Sequence, residues 1–261
     1  MRIHFLGTCS GTEPMAGMHH CSFVLEIGCA LYWFDAGESC SYTAYTSGID
    51  IMKTEALFVS HPHIDHIGGL ANLLFCMDKL NSRYGKRLPN DNSLEVFFPD
   101  PAVFAAIKTV AAGNTDMRLR FDINEHGLTD GVVFEDERLR VTALHNGHMK
   151  DSDGTDVFRS FSFLLEAEGK RIVYSGDVKA ISELDALLYG GADVLIMETG
   201  HHRVTDVCEY ASANRVKKLR LNHHGREIIE DRQSAEQWIS EYTEGHDTSI
   251  LLCYDGMVED L

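Results

Sequence analysis

The stretch Ser60-His61-Pro62-His63-Ile64-Asp65-His66 constrains this chain more than any other, because three imidazoles and one carboxylate lie within six residues. It follows directly on the apolar run Ala56-Leu57-Phe58-Val59, which reads as a buried strand. Ile67 to Lys79 then carries apolar residues at helical spacing, so the cluster is expected on a loop between a strand and a helix. In an extended segment His61 and His63 point to the same side, while Asp65 and His66 follow where the chain turns toward a second point. Neutral imidazoles with a carboxylate and no thiolate suit zinc, manganese or iron at a catalytic-type site rather than a closed structural zinc site. A histidine-rich loop that merely caps a helix would not need this spacing in a strand–loop–helix context.

The rest of the composition narrows the class. With 261 residues and 44% hydrophobic content, the chain is expected to form one domain, residues 1–261, with a sizeable core. No apolar stretch approaches the roughly 20 residues of a membrane span, and Met1-Arg2-Ile3-His4-Phe5-Leu6-Gly7 is too quickly broken to be a secretory signal. The cytoplasm is the expected compartment, no membrane partner is expected, and the sequence leaves a homo-oligomer open. Seven scattered cysteines without a C-x-x-C pair fit reduced thiols better than a disulfide framework. A net charge of -17 argues against long nucleic acid as a partner, since such affinity rests on many Lys and Arg contacts to phosphate.

Along the chain, strands are expected at Arg2 to Leu6, Ser22 to Ile27 and Ala30 to Phe34, the last two joined by a turn at Gly28-Cys29. A short helix is expected at Cys40 to Ser47, a loop at Asn81 to Ser93, a strand at Leu94 to Phe98 and a helix from Pro101 to Ala112. Gly113 to Asp136 carries no readable period. Leu139 to Leu144, Phe161 to Glu166 and Arg171 to Ser175 read as strands, and Ile181 to Leu188 as a helix. Further strands are expected at Val194 to Glu198, Lys218 to Leu221 and, as the last, Ser249 to Cys253, with helices at Thr205 to Asn214 and Ser234 to Thr243. The order β-rich, mixed, β-rich, mixed suits an α/β fold of two packed sheets with helices outside.

Ligands for a metal should come from several strand ends. Asp35 ends one predicted strand, Asp177 ends Ile172-Val173-Tyr174-Ser175-Gly176-Asp177, and His223 ends Leu219-Arg220-Leu221-Asn222-His223. His148 lies in the loop His145-Asn146-Gly147-His148. Each alone is ordinary turn or cap chemistry, whereas together they converge on one end of the strands. His145 competes with His148, and His224 with His223.

The set resembles the metallo-β-lactamase superfamily. Its H-x-H-x-D-H motif is matched by His61, His63, Asp65 and His66, and its later His, bridging Asp and final His by His148, Asp177 and His223. The resemblance implies a four-layer αβ/βα sandwich and two divalent metal ions, zinc favoured over manganese or iron. His61, His63 and His148 would hold one metal, Asp65, His66 and His223 the other, and Asp177 would bridge them. The openings Phe5-Leu6-Gly7-Thr8-Cys9-Ser10-Gly11-Thr12-Glu13-Pro14 and Phe34-Asp35-Ala36-Gly37-Glu38 are similar to the ribonuclease Z and phosphodiesterase branch. So are Ala192 to Glu198 and Tyr254-Asp255-Gly256-Met257, and Asp35 and Glu198 take supporting roles by that analogy. Ribonuclease Z would require His at Met197, and its long basic arm for transfer RNA has no counterpart here.

The expected function is therefore a metal-dependent hydrolase that activates water, acting on a phosphodiester of nucleotide size. Asp65 would ligate and orient the water or take its proton. With Met197 unable to donate, the proton for the leaving oxygen would come from a metal-bound water, His201, His202 or His224, and His19 or His20 would contact substrate at the rim. A carboxylic ester, lactone or thioester hydrolase is the alternative on this scaffold. A non-hydrolytic di-iron protein is disfavoured because that branch has Glu where His63 stands.

Overall fold

The structure is a computed structural model describing residues 1–13, 15–113, 118–149 and 158–261. Pro14 of the opening loop and residues 114–117 of the unread stretch lie outside the described residues. The chain divides into two compact units, Met1–Gly127 with Tyr254–Leu261, and Leu128–Cys253.

The first unit is a seven-stranded sheet of β1 (Arg2–Gly7), β2 (Ser22–Ile27), β3 (Ala30–Phe34), β4 (Thr54–Phe58), β5 (Ser93–Phe97) and β6 (Asp122–His126), with the chain's last strand, Val258–Asp260, added beside β1. β1 to β3 pair antiparallel, and β3 to β6 pair parallel. On one face the register sets Phe5, Phe23, Phe34, Phe58 and Phe97 side by side across five strands. The rings Phe23–Phe34, Phe34–Phe58 and Phe58–Phe97 stack at 5.0, 5.0 and 4.7 Å, a ladder of cross-strand aromatic pairs. The opposite face, with Val24, Leu31, Trp33, Leu57 and Val96, packs a core with helices α1 (Cys40–Thr46), α3 (Leu70–Tyr84) and α5 (Pro101–Ala112). The short turns α2 (Ile64–Ile67) and α4 (Pro89–Asn92) and a 3-10 turn, Ile51–Lys53, accompany them. α5 starts where the sequence predicts, because Asp100 accepts from Ala102 N and Val103 N at 3.0 and 3.2 Å ahead of Pro101.

The second unit repeats the plan. β7 (Gly131–Glu135), β8 (Arg140–His145), β9 (Phe161–Ala167) and β10 (Lys170–Tyr174) pair antiparallel, and β10, β11 (Ala192–Glu198), β12 (Val216–Asn222) and β13 (Ser249–Leu252) pair parallel. The strand Val258–Asp260 is thus β14. Val173, Leu195, Met197, Leu219 and Leu221 pack against helix α6 (Val204–Ala213) and helix α8 (Arg232–Thr243), with α7 (Arg226–Glu230) between them in sequence.

Four expectations need correction. The helix from Ile67 is broken at Gly68-Gly69: a side chain at Gly69 would meet Gly37 O at 2.2 Å, so the chain turns there and α3 begins at Leu70. The loop Asn81 to Ser93 begins later than expected, since α3 runs through Tyr84 to a left-handed Gly85, and it holds α4. Ile181 to Leu188 is not an α-helix but a 3-10 turn, Ile181–Leu184, continued as turns. Leu184, Leu187 and Leu188 are buried along it, the apolar spacing that reads as a helix in sequence although the chain forms turns. Ser249–Leu252 is not the last strand, and the unread stretch holds β6 and β7. Among the described residues, no helix is long and apolar enough to cross a membrane.

Candidate metal centre

The candidate ligands gather at the C-terminal ends of strands, where open α/β sheets place their ligands, with Asp65 and His66 carried on the turn α2 that follows β4. In the first unit the organiser is Asp35, fully buried directly after β3 and held in the left-handed region at φ 56°. Its carboxylate accepts from Ser60 N at 2.6 Å, from Ser60 Oγ at 2.7 Å and from His66 Nδ1 at 2.7 Å. A carboxylate here only accepts, so His66 carries its hydrogen on Nδ1 and presents a lone pair at Nε2. That Nε2 lies 3.5 Å from Asp65 Oδ2. Having donated to Asp35, Ser60 Oγ accepts from His61 Nδ1 at 3.0 Å, which leaves the lone pair of His61 on Nε2 as well. His61 Nε2 is 3.0 Å from His63 Nδ1. One buried carboxylate thus sets the tautomers of two histidines whose outer nitrogens are aimed as ligands.

Small residues let this loop close. Ala36 N donates to His66 O at 2.7 Å and Gly69 N to Ala36 O at 2.8 Å. A Cβ at Gly37 would meet Asp65 O and His20 C at 2.5 Å, and one at Gly11 would sit 3.1 Å from the Asp65 carboxylate. The glycine-rich opening loop therefore lies against Asp65 and has no phosphate-loop helix behind it. His19 donates its backbone N–H to Asp255 Oδ2 at 2.6 Å and sets Nδ1 at 2.9 Å from the same oxygen, while Thr8 Oγ1 donates to Asp255 Oδ1 at 2.8 Å. Burial pushes the Asp255 carboxyl above its ordinary range, against the pull of these donors. His20 Nε2 is 3.1 Å from Thr12 O, an engaged loop histidine.

In the second unit Asp177 is the focus, 2% exposed after β10. His148 Nε2 lies 3.5 Å from its Oδ2 and His223 Nε2 lies 3.4 Å from its Oδ1. Asp177, Glu198, His201 and His223 offer ligand atoms all within 4.8 Å of one another. His223, like Asp35, has a positive φ (49°), a cost borne where side-chain aim matters. The competition between histidines has a geometric answer. His145 turns to Asp130, with Nδ1 at 2.7 Å from Oδ2, while His148 faces Asp177. His224 is fully enclosed, its Nε2 donating to Cys253 O at 2.9 Å, and burial pulls its imidazole down to about 4. This corrects its reading as a proton donor to substrate, since its N–H is committed to a backbone carbonyl. His202 falls for the same reason, with Nε2 donating to Val178 O at 3.0 Å.

His201 differs. Glu198 accepts its backbone N–H at 2.9 Å and lies 3.1 Å from its Nδ1, while its side chain stays 43% exposed. Met197 is wholly buried in the apolar cluster, so that position faces away from Asp177. Sequence reasoning missed Ser60, Asn146 and Glu183. Asn146 Oδ1 accepts from His148 N and from Ser160 Oγ at 3.1 and 2.7 Å, and Glu183 Oε1 accepts from Gly147 N at 2.9 Å. Ser60 and Asn146 adjoin the motifs and were findable; Glu183, 36 residues from its partner, carries no local signal. In each unit imidazole nitrogens and carboxylate oxygens make up the aimed donors, with Cys21 Sγ within 4.8 Å of the Asp35 and His66 donor atoms in the first, and the set fits a divalent metal of the zinc class.

A family model described as "Anti-Pycsar protein Apyc1" matches residues 1–239. A ribonuclease Z of Shouchella clausii (strain KSM-K16) is 27% identical, over 85% of this chain and 86% of that protein. Among solved structures, human tRNase Z, short form, superposes with a TM-score of 0.73 at 20% identity, covering 100% of this chain and 99% of that one. The metallo-β-lactamase fold protein YhfI from Bacillus subtilis gives 0.72 at 15% identity, covering 99% and 98%. The fold is the αβ/βα metallo-β-lactamase class that the sequence implied.

Proposed function

Since the chain belongs to the family described as anti-Pycsar protein Apyc1, within the ribonuclease Z-like branch of the metallo-β-lactamase superfamily, we propose that it is a metal-dependent phosphodiesterase acting on nucleotide-sized substrates. The observation that carries the reading is the tautomer network of Asp35 and Ser60, which aims lone pairs of His61 and His66 outward from buried rings. A network of that kind supports a metal more directly than it supports the fold.

His61, His63 and His148 are assigned to one cation and Asp65, His66 and His223 to a second, with Asp177 shared, as the resemblance implies. When bound, the pair supplies an activated water and neutralises charge on the phosphoryl group. The chain's own residues do the rest. Asp65 orients the attacking water and takes its proton at a carboxylate oxygen. His201, as an imidazolium whose Nδ1–H is held by Glu198, donates its Nε2 proton to the leaving oxygen and so fills the role that Met197 cannot. Residues 1–261 are taken to act as one hydrolase domain, because the first unit is completed only when β14 returns to β1. Zinc remains the favoured metal. Among the described residues the cysteines form no disulfide, which favours the cytoplasm.

A small substrate is favoured over RNA by the charge of -17. The test is turnover of bis(p-nitrophenyl) phosphate, a 3′,5′-cyclic mononucleotide and a transfer-RNA precursor by zinc-loaded protein, beside lactone and thioester panels. Hydrolysis of the small diesters is expected. Lactone or thioester turnover without any diester turnover would replace this reading with the carboxylic ester alternative.

A further inference from the structure

A cavity of about 540 Å³ in the second unit is lined by Gly147, His148, Met149, Val178, Lys179 and His201. That size lies within the roughly 300–1,000 Å³ of small-molecule sites. The rings of His148 and His201 stand 4.9 Å apart on it, Met149 and Val178 supply its apolar flank, and Lys179 is the one permanent cation among these residues. Lys86, Lys108 and Lys217 each meet a carboxylate. Among the described residues, the Lys179 ammonium makes no ion pair. Its stem runs beside Gly147, where an added Cβ would lie 3.5 Å from Lys179 Cδ, so the ammonium is kept near the His148 loop.

The backbone under Lys179 is pinned. Glu183 Oε2 accepts from Lys179 N at 2.9 Å and from Ala180 N at 3.2 Å, while its Oε1 accepts from Gly147 N at 2.9 Å. One carboxylate therefore ties the loop leaving Asp177 to the loop leading into His148. Its oxygens face these three amides and make no ion pair with the Lys179 ammonium. It leaves the ammonium available to an anion that enters the cavity.

We propose that Lys179 is the substrate-binding residue that selects an anionic phosphodiester, with Glu183 as the positioning residue that holds it against the His148 loop. The proposal rests on the phosphodiesterase reading and adds the source of its charge selectivity. Lys179 pairs with the non-bridging phosphate oxygens, and Met149 and Val178 receive the base or aryl group. A neutral ester gains nothing from the ammonium.

The test compares wild type, Lys179→Ala, Lys179→Arg and Glu183→Gln as zinc-loaded proteins. Substrates are bis(p-nitrophenyl) phosphate and neutral p-nitrophenyl acetate, and a nucleoside 5′-monophosphate serves as a non-reacting probe by calorimetry. Lys179→Ala is expected to raise the diester KM and weaken the nucleotide by about 10- to 100-fold, the range of a hydrogen bond to a charged group. Its kcat should stay within about threefold, the signature of lost uniform binding. Lys179→Arg should restore most of the loss, Glu183→Gln should raise the diester KM in part, and the acetate KM should not move. A Lys179→Ala protein with wild-type diester KM and nucleotide affinity overturns the proposal, and an unmoved diester KM in Glu183→Gln removes Glu183 from it. Failure of the phosphodiesterase reading looks different: wild type itself turns over no diester, and calorimetry alone then decides whether Lys179 binds the anion.

Discussion

Replacing Asp35 by Asn exchanges one oxygen for an NH₂ group and should disable two histidines. The carboxylate is fully buried and accepts from Ser60 N, Ser60 Oγ and His66 Nδ1 at 2.6, 2.7 and 2.7 Å. Ser60 N–H is fixed backbone, so the amide of Asn keeps its oxygen there and sets its NH₂ where Oδ2 was. The Ser60 hydroxyl must then rotate to accept, and His66 must move its hydrogen from Nδ1 to Nε2. With its own hydrogen turned toward His61 Nδ1, Ser60 pushes the hydrogen of His61 to Nε2 as well. Both outer nitrogens become donors and cease to be ligands. Exchanging two hydrogen bonds to a charged acceptor for two between neutral groups in a dry site costs about 2–3 kcal/mol, or roughly 4–12 °C in Tm for a chain of this size. Zinc affinity should fall by about 10- to 100-fold, as for other partners that orient metal-bound histidines. Competition against a chromophoric chelator measures the affinity and differential scanning fluorimetry the Tm. An Asp35→Asn protein that folds and binds zinc as tightly as wild type would refute the tautomer argument outright.

Three further perturbations test the frame around the site. Burial pushes the thiols of Cys40 and Cys208 up to about 12, well above the ordinary thiol value of 9.0. The native state then holds protons that the unfolded chain releases above pH 9, so stability should fall between about pH 9 and 12, by about 1.4 kcal/mol per pH unit for each thiol. Urea unfolding across that range checks it, and a flat profile would contradict the burial. Gly69→Ala places a Cβ 2.2 Å from Gly37 O and should cost about 3 kcal/mol, read as a lower urea midpoint; an unchanged midpoint would mean that the turn opens freely. Asp100→Ala removes the N-cap that receives Ala102 N and Val103 N and should cost about 1 kcal/mol without altering zinc affinity.

Much of the centre was legible because its chemistry is local. His61 to His66 crowd into six residues, and Asp35, Asp177 and His223 each end an apolar run. The positioning groups were less so. Glu183 acts by reaching Gly147 across 36 residues, a pairing that only the folded loops create. His224 looked as good a proton donor as His201, and burial against Cys253 O separates them. The strands β6 and β7 escaped notice because they are exposed edge strands, β6 polar apart from Ile123 as Asp-Ile-Asn-Glu-His and β7 with only the three-residue apolar run Val-Val-Phe, so no alternation of buried and exposed positions marks them. β14, three residues long, has too little length for any period.

The most direct test of the central claim is a metal titration of diester hydrolysis on chelator-stripped protein. Bis(p-nitrophenyl) phosphate turnover is followed against zinc equivalents, with bound metal counted by mass spectrometry. The assignment of His61, His63, His148, Asp65, His66, His223 and Asp177 to two cations predicts no turnover without metal and saturation at about two equivalents per chain. Full activity in the stripped protein, or saturation at a single equivalent, would contradict it.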